Sequence, residues 1–253
     1  MNPYYVISLS GAYEDQPFWK EEGNAQFLDC TDVSGSLYFC SDEAGECLRN
    51  RLKDIPVNAL HFIDSGDYHY LSLFFLERIQ APFSLLLFDH HSDCMESAFG
   101  GGLLTCGSWV LRALSALPHL KKAILVGPAD EDGTAEQLLK DSRITWVQES
   151  EFEQKKKELC EELLIYPVYI SLDKDVLDTQ EAVTDWSQGT MRLDGIFSFL
   201  REAKNCGVQF LGMDVCGEQD KKADLSGAGH SAQINSLANG KILYLALSNL
   251  SCH

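Results

Sequence analysis

Ser84-Leu85-Leu86-Leu87-Phe88-Asp89-His90-His91-Ser92-Asp93 is the stretch from which the rest of the chain can be read. A short, mostly apolar run passes directly into a cluster of metal-type ligands. Such a run predicts a strand buried on both faces, the usual state of a parallel sheet. Continued alternation beyond it would point Asp89, His91 and Asp93 to one side, and His90 and Ser92 to the other. Two carboxylates and an imidazole on one side suit a hard or borderline divalent cation such as Mn²⁺. The carboxyl ends of strands are also where open α/β sheets bind their ligands.

Val168-Tyr169-Ile170-Ser171-Leu172-Asp173-Lys174-Asp175 repeats the pattern, with Asp173 and Asp175 on one face and Asp178 three residues on. Two such strand ends side by side gather four carboxylates, and that much charge needs cations between the groups. Two further stretches bring ligands to the same edge: Asp67 and His69 after Ala59–Ile63, and Asp214 and Glu218 at the end of Phe210–Glu218. All four are expected to lie adjacent.

The remaining sequence predicts strands alternating with helices. Strands are expected near 4–9, 26–30, 59–63, 84–89, 122–126, 144–147, 168–173 and 208–215. Helices are expected near 41–53, 71–79, 108–117, 134–139, 151–164, 193–205 and 231–247. Ser41 is a predicted N-cap with Asp42 and Glu43 behind it, and Gly207 follows the helix ending at Asn205. Gly11–Gly23 reads as a loop over the sheet, and Gly100-Gly101-Gly102 as a flexible loop. Without linker, repeat or low-complexity segment, the 253 residues form a single domain, 1–253.

The chain is 45% hydrophobic and carries 38 acids against 20 bases, a net charge of −18. That charge repels phosphates and argues against nucleic acid as a partner. No apolar run reaches the roughly 20 residues of a membrane span, and no secretory signal opens the chain. Nine cysteines without a Cys-x-x-Cys pair fit neither a disulfide framework nor a structural zinc site. A cytoplasmic location is the expectation.

Gly66-Asp67-Tyr68-His69, then Asp89-His90-His91-Ser92-Asp93, then Ser171-Leu172-Asp173-Lys174-Asp175-Val176-Leu177-Asp178, followed by Gly189-Thr190, resemble in order and type the motifs of the arginase–agmatinase (ureohydrolase) family. The resemblance covers most of the chain from Ala59 onward. It implies a three-layer α/β/α sandwich around a mostly parallel sheet of about eight strands, and two Mn²⁺ ions per chain. Asp89 and Asp173 would bridge both ions, with His69 and Asp93 completing one site and His91 and Asp175 the other. The implied reaction is attack of a metal-bridging hydroxide on a guanidino or amidine carbon, hydrolysing a C–N bond of an arginine- or agmatine-like compound. Asp175 would relay a proton to the leaving amine, and Glu218 would hold the substrate. The implied partner is a small guanidino or amide molecule, and homo-oligomers are compatible with the resemblance.

Three departures stand out. Tyr68 separates Asp67 from His69. Cys106 lies where the family carries a histidine after the second motif. Gly217 stands three residues after Asp214, where the family places a glutamate, and Glu218 follows one residue late. Of the remaining polar residues, His90 reads as packed away from the ligands, Asp178 as a turn or supporting residue, and Cys94 and Cys106 as small core thiols. His230 reads as a surface residue, and Trp186 fits the core or a pocket wall equally well. The rival readings are a DHH-type phosphoesterase, from Asp89-His90-His91 and Gly227-Ala228-Gly229-His230, a single-zinc deacetylase or amidohydrolase, and a non-catalytic metal-binding relative.

Overall fold

A computed structural model describes residues 3–20, 24–96, 102–129, 134–220 and 229–249. Ser84–Phe88 lies within a six-residue strand, β5 (Phe83–Phe88), in which every residue is buried. Leu86 and Phe88 enter one hydrophobic core, whereas Phe83, Leu85 and Leu87 enter the other. A strand with apolar side chains on both faces needs cover on both, and this sets the layer count.

The other strands are β1 (Tyr4–Ser8), β2 (Ala25–Asp29), β3 (Phe39–Cys40), β4 (Leu60–Phe62), β6 (Leu104–Thr105), β7 (Leu120–Val126), β8 (Ile144–Val147), β9 (Val168–Asp173) and β10 (Phe210–Cys216). Eight of them form one sheet in the order β2-β1-β4-β10-β9-β5-β7-β8. Every pairing in that sheet is parallel. The eight match the eight strands expected from sequence. β3 and β6 form a separate antiparallel pair that the sequence did not announce, because each is only two residues long.

Helices α1 (Asp42–Leu52), α2 (Leu71–Leu76), α3 (Trp109–Ala116) and α4 (Thr134–Leu138) cover one face, and α5 (Phe152–Leu163), α6 (Leu193–Asn205) and α7 (His230–Asn249) the other. The fold is therefore a three-layer α/β/α sandwich. Ser41 caps α1 as expected, its hydroxyl accepting the Ala44 N–H at 3.1 Å. Gly207, at φ +105°, follows α6 in the left-handed conformation. The loop after β1 does lie over the sheet: Tyr13 and Phe18 are buried against Phe62 of β4. Gly100 and Gly101 of the glycine run lie outside the described residues.

The sheet order answers the question the motifs pose. β4, β10, β9 and β5 are consecutive neighbours, so their carboxyl ends form one continuous rim. Among the described residues, no helix is long and apolar enough to cross a membrane.

Candidate metal centre

β5 ends at Phe88, so strand alternation does not carry Asp89, His91 and Asp93 to a common side. A turn does. The Asp89 carboxylate accepts the backbone N–H of His91 at 2.6 Å, folding the chain back on itself. Asp93 then adopts φ +50°, a left-handed conformation that side chains other than glycine rarely hold. Two contacts fix it there: its carbonyl accepts Val110 N–H at 3.1 Å, and its Oδ2 accepts the Trp109 indole N–H at 2.6 Å. Strain of this kind collects at functional sites.

His69 arrives from β4. The insertion of Tyr68 is absorbed by a 3-10 turn at Gly66–Tyr68, which swings the ring back over the rim. His69 Nδ1 then lies 2.9 Å from Asp93 Oδ2, 3.2 Å from Asp89 Oδ2 and 3.5 Å from Asp173 Oδ2. The ring is buried, yet Nδ1 forms no well-directed hydrogen bond with any of the three. Its other nitrogen is accounted for. Ser171 Oγ donates its only proton to Asp214 Oδ1 at 2.5 Å, so it can only accept from His69 Nε2–H, 2.9 Å away. In the neutral ring that pairing leaves the Nδ1 lone pair facing three carboxylates, the arrangement of a metal-ligating imidazole held by an outer hydrogen bond.

On the other side of Asp89, His91 Nδ1 lies 2.7 Å from Asp175 Oδ2 and 3.6 Å from Asp89 Oδ1. Asp175 sits in the 3-10 turn after β9. Its backbone N–H is held by Asp173 Oδ1 at 2.9 Å, and its own Oδ1 accepts the His90 N–H at 2.9 Å. Asp89, His91 and Asp175 thus form one possible ligand triad, and His69, Asp89 and Asp93 a second. Asp89 belongs to both. All six residues read from the sequence as ligands converge.

Four buried carboxylates crowd one another in this cluster. Burial and the neighbouring Asp93 raise the pKa of Asp89, and burial and Asp175 raise that of Asp173. Burial, with Asp89 behind it, pushes Asp175 up to about 7. Burial pulls the two imidazoles down, but the surroundings outweigh it. The Cys216 sulfur and the Asp89 and Asp93 carboxylates hold His69 well above its ordinary value. Asp175 and Asp89 push His91 up to about 11. Burial opposes charge on these acids, and the acids in turn favour charge on the imidazoles, so a bound cation would relieve the crowding of like charges.

The centre opens into a cavity of about 470 Å³. Its outer walls include Tyr38, Phe39, Met95, Trp146 and Trp186. Trp186 is therefore a wall residue, its indole N–H donating to Asp67 Oδ1 at 2.9 Å and its ring packing edge-on to His91. That bond draws Asp67 out of the ligand clusters. Cys106, half-buried, lines the cavity and is not a core thiol, whereas Cys94 is buried as expected. His90 also lines the cavity, but the triads do not use it. Asp178 accepts Gln180 N–H at 2.8 Å and serves a turn, and His230 is exposed at the start of α7.

Asp67 and Asp214, which the sequence brings to the same edge, do not line the cavity, and neither does Glu218. It is buried, ion-paired with Lys174, and accepts bonds from Asn239 Nδ2 and Gln16 Nε2, each at 2.7 Å. The one-residue offset explains the turn-away. Gly217, at φ +89°, occupies the family's glutamate position, and a Cβ there would lie 2.5 Å from Asp173 Oδ1 and 2.7 Å from Lys174 N. Sequence reasoning also missed Lys174, Ser171 and Cys216 as parts of the centre. The lysine alone carried a signal, since a cation between two acids at a buried strand end requires a partner.

The profile of the Arginase family matches residues 13–219. An uncharacterized protein of Thermotoga maritima is 32% identical over 216 residues, covering 85% of this chain and 80% of the relative. Solved structures share the fold at low identity. Arginase from Medicago truncatula superposes with a TM-score of 0.72 at 14% identity, over 99% of this chain and 87% of that one. Proclavaminate amidino hydrolase from Streptomyces clavuligerus gives 0.69 at 16%, over 97% and 91%. Formimidoylglutamase from Bacillus subtilis gives 0.67 at 14%, over 100% and 88%. The sheet order, the three ligand-bearing strand ends and the profile match lead to one conclusion: this chain belongs to the arginase family.

Proposed function

We propose that the protein is a two-ion hydrolase of the ureohydrolase type, cleaving a C–N bond at a guanidino or amidino carbon. The observation that carries this reading is the pair of triads sharing Asp89, with Asp173 beside His69 and a lone Nδ1 aimed into the gap. The donor set is four carboxylates and two imidazoles, which suits Mn²⁺. Two such cations, when bound, supply Lewis acidity and a water acidic enough to attack at neutral pH.

The chain's own residues do the rest. Ser171 and Asp214 hold the His69 ring in one tautomer. Asp175, anchored by His90 N–H and facing the His91 ring, is placed to hold a proton and pass it to the leaving amine. His91 stands nearer the mouth, its Nε2 bonded to Ser187 Oγ at 3.1 Å. Tyr38, Phe39 and Trp186 wall the body of the substrate and exclude water.

Selectivity does not come from Glu218, whose carboxylate is committed to Lys174. Among the described residues, the cavity lining holds no lysine or arginine to meet a substrate carboxylate. Guanidino and amidino compounds with an aromatic or aliphatic body therefore fit better than arginine itself. The fold neighbours that are an amidino hydrolase and a formimidoylglutamase point to the same bond class. Family membership displaces the phosphoesterase and deacetylase readings, and Gly227 and Ala228 of the former lie outside the described residues.

The test is product release from a panel of guanidino, amidino and formimino compounds by the Mn²⁺-loaded chain. Urea with the free amine marks a guanidino substrate, formamide with the free amine a formimino group, and ammonia with the amide a terminal amidine. Two bound ions without any of these products across the panel would replace this reading with that of a non-catalytic metal-binding relative.

A further inference from the structure

Cys216 closes β10 and is fully buried. It is the register partner of Asp173 in β9, so the two side chains leave the parallel sheet on the same side. Its Sγ lies 3.0 Å from Asp173 Oδ2. That sulfur, a His69 ring nitrogen and an Asp173 oxygen all fall within 4.8 Å of one another. Independently, His69 Nδ1 faces Asp173 Oδ2 at 3.5 Å, is buried, and makes no directed hydrogen bond. The gap between these atoms has the size of an ion held at about 2.0–2.3 Å by nitrogen, oxygen and sulfur.

We propose that Cys216 is a thiolate ligand to the cation held by His69 and Asp173. The site on the His69 side then has a mixed nitrogen, oxygen and sulfur donor set, whereas the Asp89–His91–Asp175 site has only nitrogen and oxygen. This inference rests on the two-ion reading above and adds an asymmetry to it. On binding, the S–H bond to the proton now pointed at Asp173 breaks, a sulfur–metal bond forms, and the proton leaves to solvent, with no change of oxidation state. A cation makes this favourable, because coordination deprotonates a thiol outright. A thiolate also shifts preference from manganese toward zinc and cobalt(II). Gly217 permits the arrangement, since a side chain there would push Asp173 away from the sulfur. Cys94 and Cys106, though close to the acids, join none of the possible ligand triads among the described residues.

The full chain loaded with Co²⁺ tests this, with bound metal counted by elemental analysis. A thiolate-to-cobalt charge-transfer band in the near ultraviolet is expected in the wild type and in a Cys94→Ala/Cys106→Ala variant. It should be lost in Cys216→Ser and Cys216→Ala. Competition between Zn²⁺ and Mn²⁺ should shift at least tenfold toward manganese in Cys216→Ser. Should Cys216→Ala fail to fold, the nearly isosteric serine variant and the band in the Cys94→Ala/Cys106→Ala protein still decide. Two bound cobalt ions without a band, or a band that survives Cys216→Ala, would overturn the sulfur ligand and leave the two-ion centre standing. Failure to bind cobalt at all would overturn both.

Discussion

Asp89, His91 and Asp93 share a face because Asp93 accepts a left-handed backbone and the Asp89 carboxylate ties down His91 N–H, not because they alternate along a strand. The facing of these side chains has a direct test. Asp173→Ala removes a group aimed at the centre and should abolish binding of at least one ion. His90→Ala keeps the backbone N–H that Asp175 uses and should leave metal content nearly intact. Elemental analysis of both folded variants checks this, and equal loss in the two would refute the assignment. Ser171→Ala should weaken metal binding by about 10–100-fold, the usual cost of losing an outer-shell partner to a ligating histidine.

His61 offers a pH test at a residue outside the ligand triads. Burial lowers its pKa from the ordinary 6.5 to about 4, and its ring stacks on Phe75 with centroids 4.0 Å apart. The unfolded chain binds this proton at a higher pH than the native chain does. Its contribution is therefore fully present above about pH 6.5 and lost as pH falls toward 4, and a shift of this size is worth roughly 3 kcal/mol. The buried carboxylates whose pKa values are raised act in the opposite sense, so the comparison must be made between variants. His61→Gln should flatten the slope of urea-unfolding stability against pH between 4 and 6.5 relative to wild type. An unchanged slope would show that His61 titrates normally.

At the scale of elements, the end of β10 and the turn after β9 form one unit. Lys174 and Glu218, both fully buried, tie the turn after β9 to the segment after β10, and Asn239 and Gln16 add α7 and the loop after β1. Removing one charge leaves the other buried and unpaired, at a cost of about 3–5 kcal/mol. Lys174→Met should cost that much. Lys174→Met/Glu218→Gln should recover part of it, because glutamine removes the buried charge and its one carbonyl oxygen still accepts from Asn239, whereas its amide nitrogen cannot accept from Gln16. A double-mutant cycle in urea measures the coupling, and purely additive losses would refute a specific pair. Gly217→Ala should cost roughly 1–3 kcal/mol from the backbone conformation alone. It should also lower metal content, since the new Cβ meets Asp173.

At the scale of the whole molecule, a net charge of −18 and a buried acidic cluster both make cations stabilising. Binding to the native state alone adds about 2.7 kcal/mol per site at a hundred times its Kd. Mn²⁺ should therefore raise the melting temperature, and chelation should reverse the rise. Asp173→Ala should show a much smaller response, which separates specific sites from general screening of the surface charge. An equal rise in both would assign the effect to screening.

The sequence by itself determined the layers and the ligand types. Apolar runs such as Phe83–Phe88 can be satisfied only by cover on two faces, and eight of them alternating with helices leave little besides a parallel sandwich. The acids and histidines were legible only as a set, because several carboxylates gathered at neighbouring strand ends need cations between them, whereas a single strand ending in Asp is common. Tertiary structure alone decided which of them meet. The order β4-β10-β9-β5 is not the order along the chain, so contacts between His69 and Asp173, or between Cys216 and Asp173, have no signature in spacing. It also decided Glu218. A one-residue offset and a positive φ at Gly217 turn the carboxylate from the cavity to Lys174, and a buried charge goes to the partner within its reach.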